Sequence, residues 1–471
     1  MRRLNLVLAA ITLFAGGFAA GAARLDMRVV AWALGVRLPS VGPRLPRADT
    51  LVVADSLYGR CSRLEGHAKT TCYQTQLLTL RKQRGTRFAM GTLNRLSVMD
   101  RDVELGGHDY THMIGITAFK ESRDVRGAFK SCTEILQSGC YHGVIQTYLL
   151  SVPRVGPDEV RAVCQEYANP AANQWLRFQC VHGMGHGLTM YHGHDLRLAL
   201  EGCDLLETGW DRQSCYGGAF MENIIHVQDP GMAHMVMGDA ADTSGGSMDM
   251  AGLDHGATTM DGHPQDTTLM AGHDHGAMQM SGAMHHAAAA KFAPIDSTDP
   301  FYPCSRLGER YQADCWRMQP AVILFLRNND FRRTFQACDS APARWRQDCY
   351  AGTGTDVSGQ TARNHQESIR LCSTGSPRYQ PWCYEGVVKN FIDVTADYRD
   401  GLAFCKVIPG QRNQLHCYQS VGEEIAVLRN GLAARAPLCN EIQEPSFRDA
   451  CLFGAQVNAT PPAGSPMPEG R

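Results

Sequence analysis

The apolar positions of the chain begin with a run from Leu4 to Phe14, preceded by Arg2 and Arg3 and followed by small residues around Ala19–Ala23. Charged, then apolar, then small is the order of a secretory signal. The stretch through Ala23 is also about long enough to span a bilayer as an uncleaved anchor, with the two arginines kept inside. Residues 1–23 are therefore read as a signal peptide or signal anchor, and 24–50, with three prolines between 36 and 50, as a linker. Beyond residue 51, apolar stretches alternate with Gly/Pro punctuation. Ser358–Ser373 reads as a helix, Gly375-Ser376-Pro377 as a turn and Tyr379–Val394 as a second helix. The same punctuation recurs at Ile408-Pro409-Gly410 and Ser340-Ala341-Pro342.

Cysteine turns this alternation into a ruler. The 18 cysteines fall into nine close pairs: Cys61 with Cys72, Cys132 with Cys140, Cys164 with Cys180, Cys203 with Cys215, Cys304 with Cys315, Cys338 with Cys349, Cys372 with Cys383, Cys405 with Cys417 and Cys439 with Cys451. In the last five pairs the second cysteine sits at 315, 349, 383, 417 and 451, a spacing of 34 each time. Self-similarity at that period signals a two-helix repeat that stacks into a solenoid. Cys72 to Cys140 is 68 residues, two periods, so one cysteine-free repeat lies between them, with Gly106 in place of its second cysteine. The expected fold is an all-α solenoid of about ten two-helix repeats, most of them stapled by one disulfide. N-terminal repeats occupy 51–228 and C-terminal repeats 293–457, around an insert at 229–292 and before a disordered tail at 458–471. In period and cysteine placement the chain resembles the Sel1-like repeat proteins and, more distantly, the tetratricopeptide repeats. The resemblance implies a disulfide-stapled α-solenoid with a curved surface for partners.

Histidine breaks the uniformity of the ruler. Counted from the second cysteine, position +2 is His108, His142 and His182 in three consecutive repeats. Position +6 is His112 in the first of these and His186 in the third, and Met221 in the next repeat. Elsewhere +2 is Gln74, Gly217, Arg317, Ala351, Glu385, Gln419 or Phe453, so the scaffold does not demand histidine. Residues four apart share a helix face, and adjacent second helices would bring the five imidazoles into one patch, with Asp109, Tyr110 and Glu222 nearby. Imidazole suits Cu, Zn, Fe and Ni, and thioether favours Cu(I). Paired His-x-x-x-His helices are also how type-3 copper proteins hold their metals, a likeness of ligand geometry only. Against a regular helix stand three glycines within Gly183–Gly187. His192 and His194 read as exposed loop residues, and repeats six to ten, with few clustered carboxylates, as frame.

The insert holds half of the twenty methionines, Met232 to Met284, together with seven histidines, His234 to His286. Met248-Asp249-Met250, His273-Asp274-His275 and Met278-Gln279-Met280 pair soft or borderline ligands at close spacing. The segment resembles the Met/His-rich tracts of bacterial copper-resistance proteins, which implies metal capture. A net charge of −2 carries no nucleic-acid footprint, and there is no CxxC zinc pair, nucleophile elbow or phosphate-binding loop. Disulfide-rich chains belong to oxidising compartments. The expected function is an exported metal-binding helical-repeat protein of the cell envelope, periplasmic or secreted, with copper as cofactor and iron or zinc as alternatives. A metal-dependent enzyme with a mono- or dinuclear five-histidine centre is one alternative, and a non-metallic interaction scaffold another. Metal ions and another envelope protein are the expected partners, with the N-terminal helix as the single candidate anchor.

Overall fold

The structure, a computed structural model, describes residues 48–228 and 294–466. The expected signal segment, the linker up to residue 47, the Met/His-rich insert and residues 467–471 lie outside the described residues. All the regular structure among the described residues is helical. The N-terminal elements are α1 (Ala48–Cys61), α2 (Gly66–Arg84), α3 (Thr86–Met99), α4 (Arg101–Leu105), α5 (Gly107–Ser122) and α6 (Val125–Ser131). A short turn at Leu136–Ser138 leads to α7 (Gly139–Ser151), α8 (Pro157–Ala162), α9 (Pro170–Tyr191), α10 (Leu196–Cys203) and α11 (Gly209–Gln228). After the insert come α12 (Glu309–Leu326), α13 (Phe331–Ser340), α14 (Arg346–Thr361), α15 (His365–Cys372) and α16 (Gln380–Thr395). The last are α17 (Tyr398–Val407), α18 (Gln411–Leu428), α19 (Leu432–Cys439) and α20 (Pro445–Gly454). No described helix is long and apolar enough to cross a membrane.

The cysteines bond in the nine pairs that their spacing predicts. In the N-terminal half Cys61 is bonded to Cys72, Cys132 to Cys140, Cys164 to Cys180 and Cys203 to Cys215. In the C-terminal half Cys304 is bonded to Cys315, Cys338 to Cys349, Cys372 to Cys383, Cys405 to Cys417 and Cys439 to Cys451. From α6 onward each bond ties the end of a short helix or turn to the long helix that follows. Cys349, Cys383 and Cys417 lie in the first two turns of α14, α16 and α18. Cys180 and Cys451 depart from that rule. Cys180 sits mid-way along α9, because α9 starts early at Pro170, and Cys451 lies in the second half of the short α20. Closing a loop of this length contributes roughly 2–3 kcal/mol in the chain-entropy model. So many cystines place the described chain in an oxidising compartment.

Ser358–Ser373 is not one helix. α14 stops at Thr361 and α15 starts at His365, because Ala362 and Arg363 turn left-handed (φ 47° and 59°). Asn364 then caps α15, its side chain accepting the Glu367 N–H. The device repeats: left-handed Arg123, His194, Asn329 and Ala396 each precede an Asp that caps the next helix. An Asx cap satisfies an orphan N–H and restarts the chain in a new direction without Gly or Pro. The expected boundaries shift at both ends as well. α1 begins inside the expected linker, and residues 458–466, expected to be disordered, form turns that end in buried Pro466.

The long helices α5, α7, α9, α11, α12, α14, α16 and α18, and the shorter α20, pack each on the next in chain order. Backbones approach so closely that a Cβ on Gly218 would overlap the His182 carbonyl, and one on Gly386 the Ala351 carbonyl. This is why glycine recurs three residues after the second cysteine despite its cost in helices. The second half of the row packs back on the first. α16 touches the turn Leu136–Ser138, α18 touches α9, and Arg363 pairs with Glu104 at 2.7 Å.

The C-terminal half is more than plain frame. Arg317 on α12 reaches Glu385 on α16 at 3.1 Å and Asp348 on α14 at 3.4 Å. Lys389 joins Glu385 at 3.2 Å to Glu423 on α18 at 2.7 Å, and His416 Nε2 meets Glu385 at 2.8 Å. Burial opposes ionisation of Glu385, yet Lys389 and Arg317 hold its carboxyl well below the usual range.

Candidate metal centre

Four consecutive long helices build the centre. α5 supplies His108 and His112, α7 supplies His142, α9 supplies His182 and His186, and α11 supplies Glu222. The glycines of Gly183–Gly187 do not break α9. They let it lie against its neighbours: Gly183 faces the Cα of His142, and Gly185 faces the Cys215 carbonyl. The rings converge, with centroids of His112–His142, His112–His186, His142–His182 and His142–His186 separated by 5.5, 5.5, 4.8 and 5.3 Å. His186 is 0 % exposed, His142 3 %, His112 5 % and His182 6 %. Two triads have one nitrogen each within 4.8 Å of the others: His108, His112 and His142 form one, and His142, His182 and His186 the other, with His142 in both.

Three of the imidazoles are anchored from outside. His108 Nδ1 lies 3.2 Å from the Leu136 carbonyl, and His142 Nε2 lies 2.9 Å from Gln179 Oε1. His186 Nδ1 lies 2.9 Å from Glu222 Oε2. Acceptors at Leu136, Gln179 and Glu222 fix the proton on the outer nitrogen of those three rings. Their other nitrogens carry lone pairs. His142 Nδ1 and His186 Nε2 are buried with no hydrogen-bond partner, and His112 Nε2 and His108 Nε2 face each other at 3.0 Å. An orphaned buried polar atom costs about 1–3 kcal/mol. Outer partners that orient rings with inner nitrogens left open make an arrangement that could hold a metal ion.

Burial keeps the centre uncharged. It pushes His186 down to about 3 and His108 down to about 4, and with the neighbouring imidazoles holds His112, His142 and His182 well below the ordinary value. Burial lifts Glu222 to about 7, with the charges of His194 and His226 opposing it. His186 is thus a neutral donor to Glu222, a hydrogen bond rather than an ion pair.

The packing corrects the register of the cysteine-free repeat. Along the row, the glycine at +3 faces the carbonyl of the +2 residue in the preceding long helix: Gly218 faces His182, Gly352 faces Arg317 and Gly386 faces Ala351. Gly143, at +3 in its own repeat, faces the carbonyl of His112. His112, not His108, is therefore equivalent to His142 and His182, and Tyr110, not Gly106, stands at the cysteine position. His108 lies one turn earlier. The five histidines assemble all the same, because residues four apart share a face.

Met221 occupies its expected place on α11 and is half-buried, but the α11 side chain bonded to the cluster is the adjacent Glu222. Leu136 and Gln179 had no signal in the ruler, the one acting through its backbone and the other singular in type. His192 and His194 are half-buried rather than exposed, and the His194 ring lies flat on that of His226, with centroids 3.7 Å apart. No known protein family, no curated protein and no solved structure matches the chain.

Proposed function

We propose that this chain is an exported helical-repeat protein of the cell envelope that holds a transition-metal ion, copper foremost, in the histidine centre. One observation carries the reading: five neutral imidazoles, four of them buried and three anchored on an outer nitrogen, converge with two inner nitrogens left unpartnered. An all-imidazole set suits copper, zinc, iron and nickel, and the methionines of the insert tip the choice towards copper. His142 has one nitrogen committed to Gln179 and so gives its other to one ion only. A single ion held by a triad and completed by the remaining histidines is therefore the simplest occupancy. The row of long helices that returns on itself supports reading the fold as a coiled solenoid, with the centre on its inner face. The nine cystines support a periplasmic or secreted location.

Metal analysis of the purified chain, with and without residues 229–290, tests the proposal. The expected result is about one equivalent of tightly held metal in both forms, with additional weaker sites only in the form carrying the insert. Failure of both forms to retain or take up copper, zinc or iron would leave the interaction-scaffold reading.

A further inference from the structure

Five residues before the second cysteine stand Trp175, Trp210, Arg310, Arg344, Arg378 and Arg412, in six consecutive repeats. In other repeats the place is taken by His67, Ile135 or Ser446, so the hairpin itself does not demand arginine. The four arginines fall at the N-terminal ends of α12, α14, α16 and α18. Arg310 and Arg412 are second in their helices, and Arg344 and Arg378 lie two residues before theirs. All four are exposed. Each guanidinium lies over a ring: Arg310 over Tyr311 at 5.8 Å, Arg344 over Trp345 at 5.2 Å, and Arg378 over Tyr379 and Arg412 over Trp382 at 5.5 Å. A ring beneath a guanidinium restrains it without using its N–H groups.

These positions form one edge of the row of helices. Gly354 faces the Cys383 carbonyl, and further along the same pair of helices Ser358 donates to Asn390 Oδ1 at 2.8 Å, so neighbours run parallel. Arg344 meets Glu309 at 3.1 Å and Arg412 donates to the Arg378 carbonyl at 3.0 Å, which makes successive members neighbours in space. Four parallel helix N-termini add their positive ends to the same edge. Two arginines already hold carboxylates, Arg310 that of Asp204 at 3.0 Å and Arg344 that of Glu309, which is 81 % exposed. Ion pairs so open to water exchange readily for another acceptor. At the other end of the edge Phe178 joins the two tryptophans, with centroids 6.3 Å from Trp175 and 6.0 Å from the exposed Trp210. Trp, Tyr and Arg are the residues that dominate binding at protein interfaces.

We propose that this arginine and tryptophan edge docks an extended acidic segment of a partner protein in the polyproline II conformation. The period selects the occupant. Packed helices lie about 8–10 Å apart. A polyproline II chain rises about 3.1 Å per residue with three residues per turn, so one face carries a side chain every ~9.3 Å. A carboxylate at every third residue then meets one arginine per repeat. The tryptophans suit prolyl or other apolar residues at the far end, as aromatic grooves do for such chains. A nucleic-acid strand, with a charge about every 3.4 Å, would leave most of its charges between arginines. The net charge of −2 also lacks the basic surplus of a nucleic-acid binder. The docking edge stands whether or not the histidine centre holds a metal.

Fluorescence anisotropy of a labelled synthetic peptide, about five repeats of Glu-Pro-Pro, titrated with the full chain at low salt, tests it. A second peptide of the same composition carries its glutamates consecutively. Wild type is expected to bind the spaced peptide several-fold more tightly than the clustered one. The Arg344→Gln/Arg378→Gln variant should lose on the order of five- to ten-fold in affinity for the spaced peptide, as two exposed charge contacts do. Its helicity should be unchanged. Should the double variant not fold, the single variants serve, each losing roughly two- to three-fold. No binding by wild type, equal affinity for the two peptides, or unchanged affinity in the folded variants would overturn the docking edge. So would tighter binding of a single-stranded oligonucleotide of equal charge, which would assign the edge to nucleic acid.

Discussion

His142 is the residue on which the centre turns, since it alone belongs to both triads. His142→Ala should weaken metal binding by more than the roughly 10–100-fold that loss of an outer partner costs, and Gln179→Ala should fall within that range. Competition with a chelator of known strength measures both, and equal losses would contradict the assignment of Gln179 as an outer partner. The same burial predicts a pH dependence of the metal-free fold. The centre histidines titrate lower folded than unfolded, His108 at about 4 and His186 at about 3. Their contribution is fully present above the unfolded value of about 6.5 and is lost as pH falls from there towards 4 and below. Burial lifts Asp393 to about 7 and Asp356 and Glu424 to about 8, and these carboxyls shift stability in the opposite direction over the same interval. The telling comparison is therefore between wild type and a His112→Gln/His182→Gln variant. Between pH 7 and 4.5, melting followed by circular dichroism should show the larger drop for wild type. The residue types of this centre were legible because histidine departed from a regular background. Their anchors were not, since a backbone carbonyl at Leu136 or a lone glutamine at position 179 resembles any other.

At the scale of elements, the long second helices were legible because cysteine, aromatic and glycine recur at fixed offsets. Tyr379–Val394 is realised within one residue at each end as α16. The first helices were drawn too long, because left-handed Ala362 and Arg363 with the Asn364 cap end one helix and start another using residues that carry no breaker signal. The charged network was equally hidden. Its members lie on four helices, each spaced like a solvated surface charge, and only packing shows that Arg317 crosses α14 to reach Glu385 on α16. Glu385→Gln would leave Arg317, Lys389 and His416 facing a neutral amide. Arg317 keeps 38 % side-chain exposure, so the loss should be about 2–3 kcal/mol, below the usual cost of breaking a fully buried pair. Chemical denaturation gives the value, and metal content should not change. A variant as stable as wild type would mean that water already screens the network.

For the molecule as a whole, cystine is both stabiliser and barrier. Every cysteine except Cys72 is buried, so a reductant reaches the bonds only when the helices open. Nine closed loops at roughly 2–3 kcal/mol each would together exceed the about 5–15 kcal/mol net stability of an ordinary domain. The fully reduced chain should accordingly lose most of its helicity at 37 °C. In native buffer, thiol release should be slow and should accelerate sharply in denaturant. Thiol titration alongside circular dichroism checks both, and a reduced chain that keeps its helical signal would show that packing alone suffices.

The cysteine-free repeat sets one helix of the centre apart from the others. α7, α9 and α11 each hold a half-cystine (Cys140, Cys180 and Cys215), whereas α5, the bearer of His108 and His112, is stapled to nothing. A coordinated ion would tie α5 to α7 and α9 as cystine ties each of the other long helices to its short partner, with a bond that forms and breaks reversibly. Hydrogen exchange should then show α5 as the part of the centre most slowed by loading. Whatever surface α5 presents when untied would be a readout of metal supply, carried by the one helix of the four that holds no half-cystine.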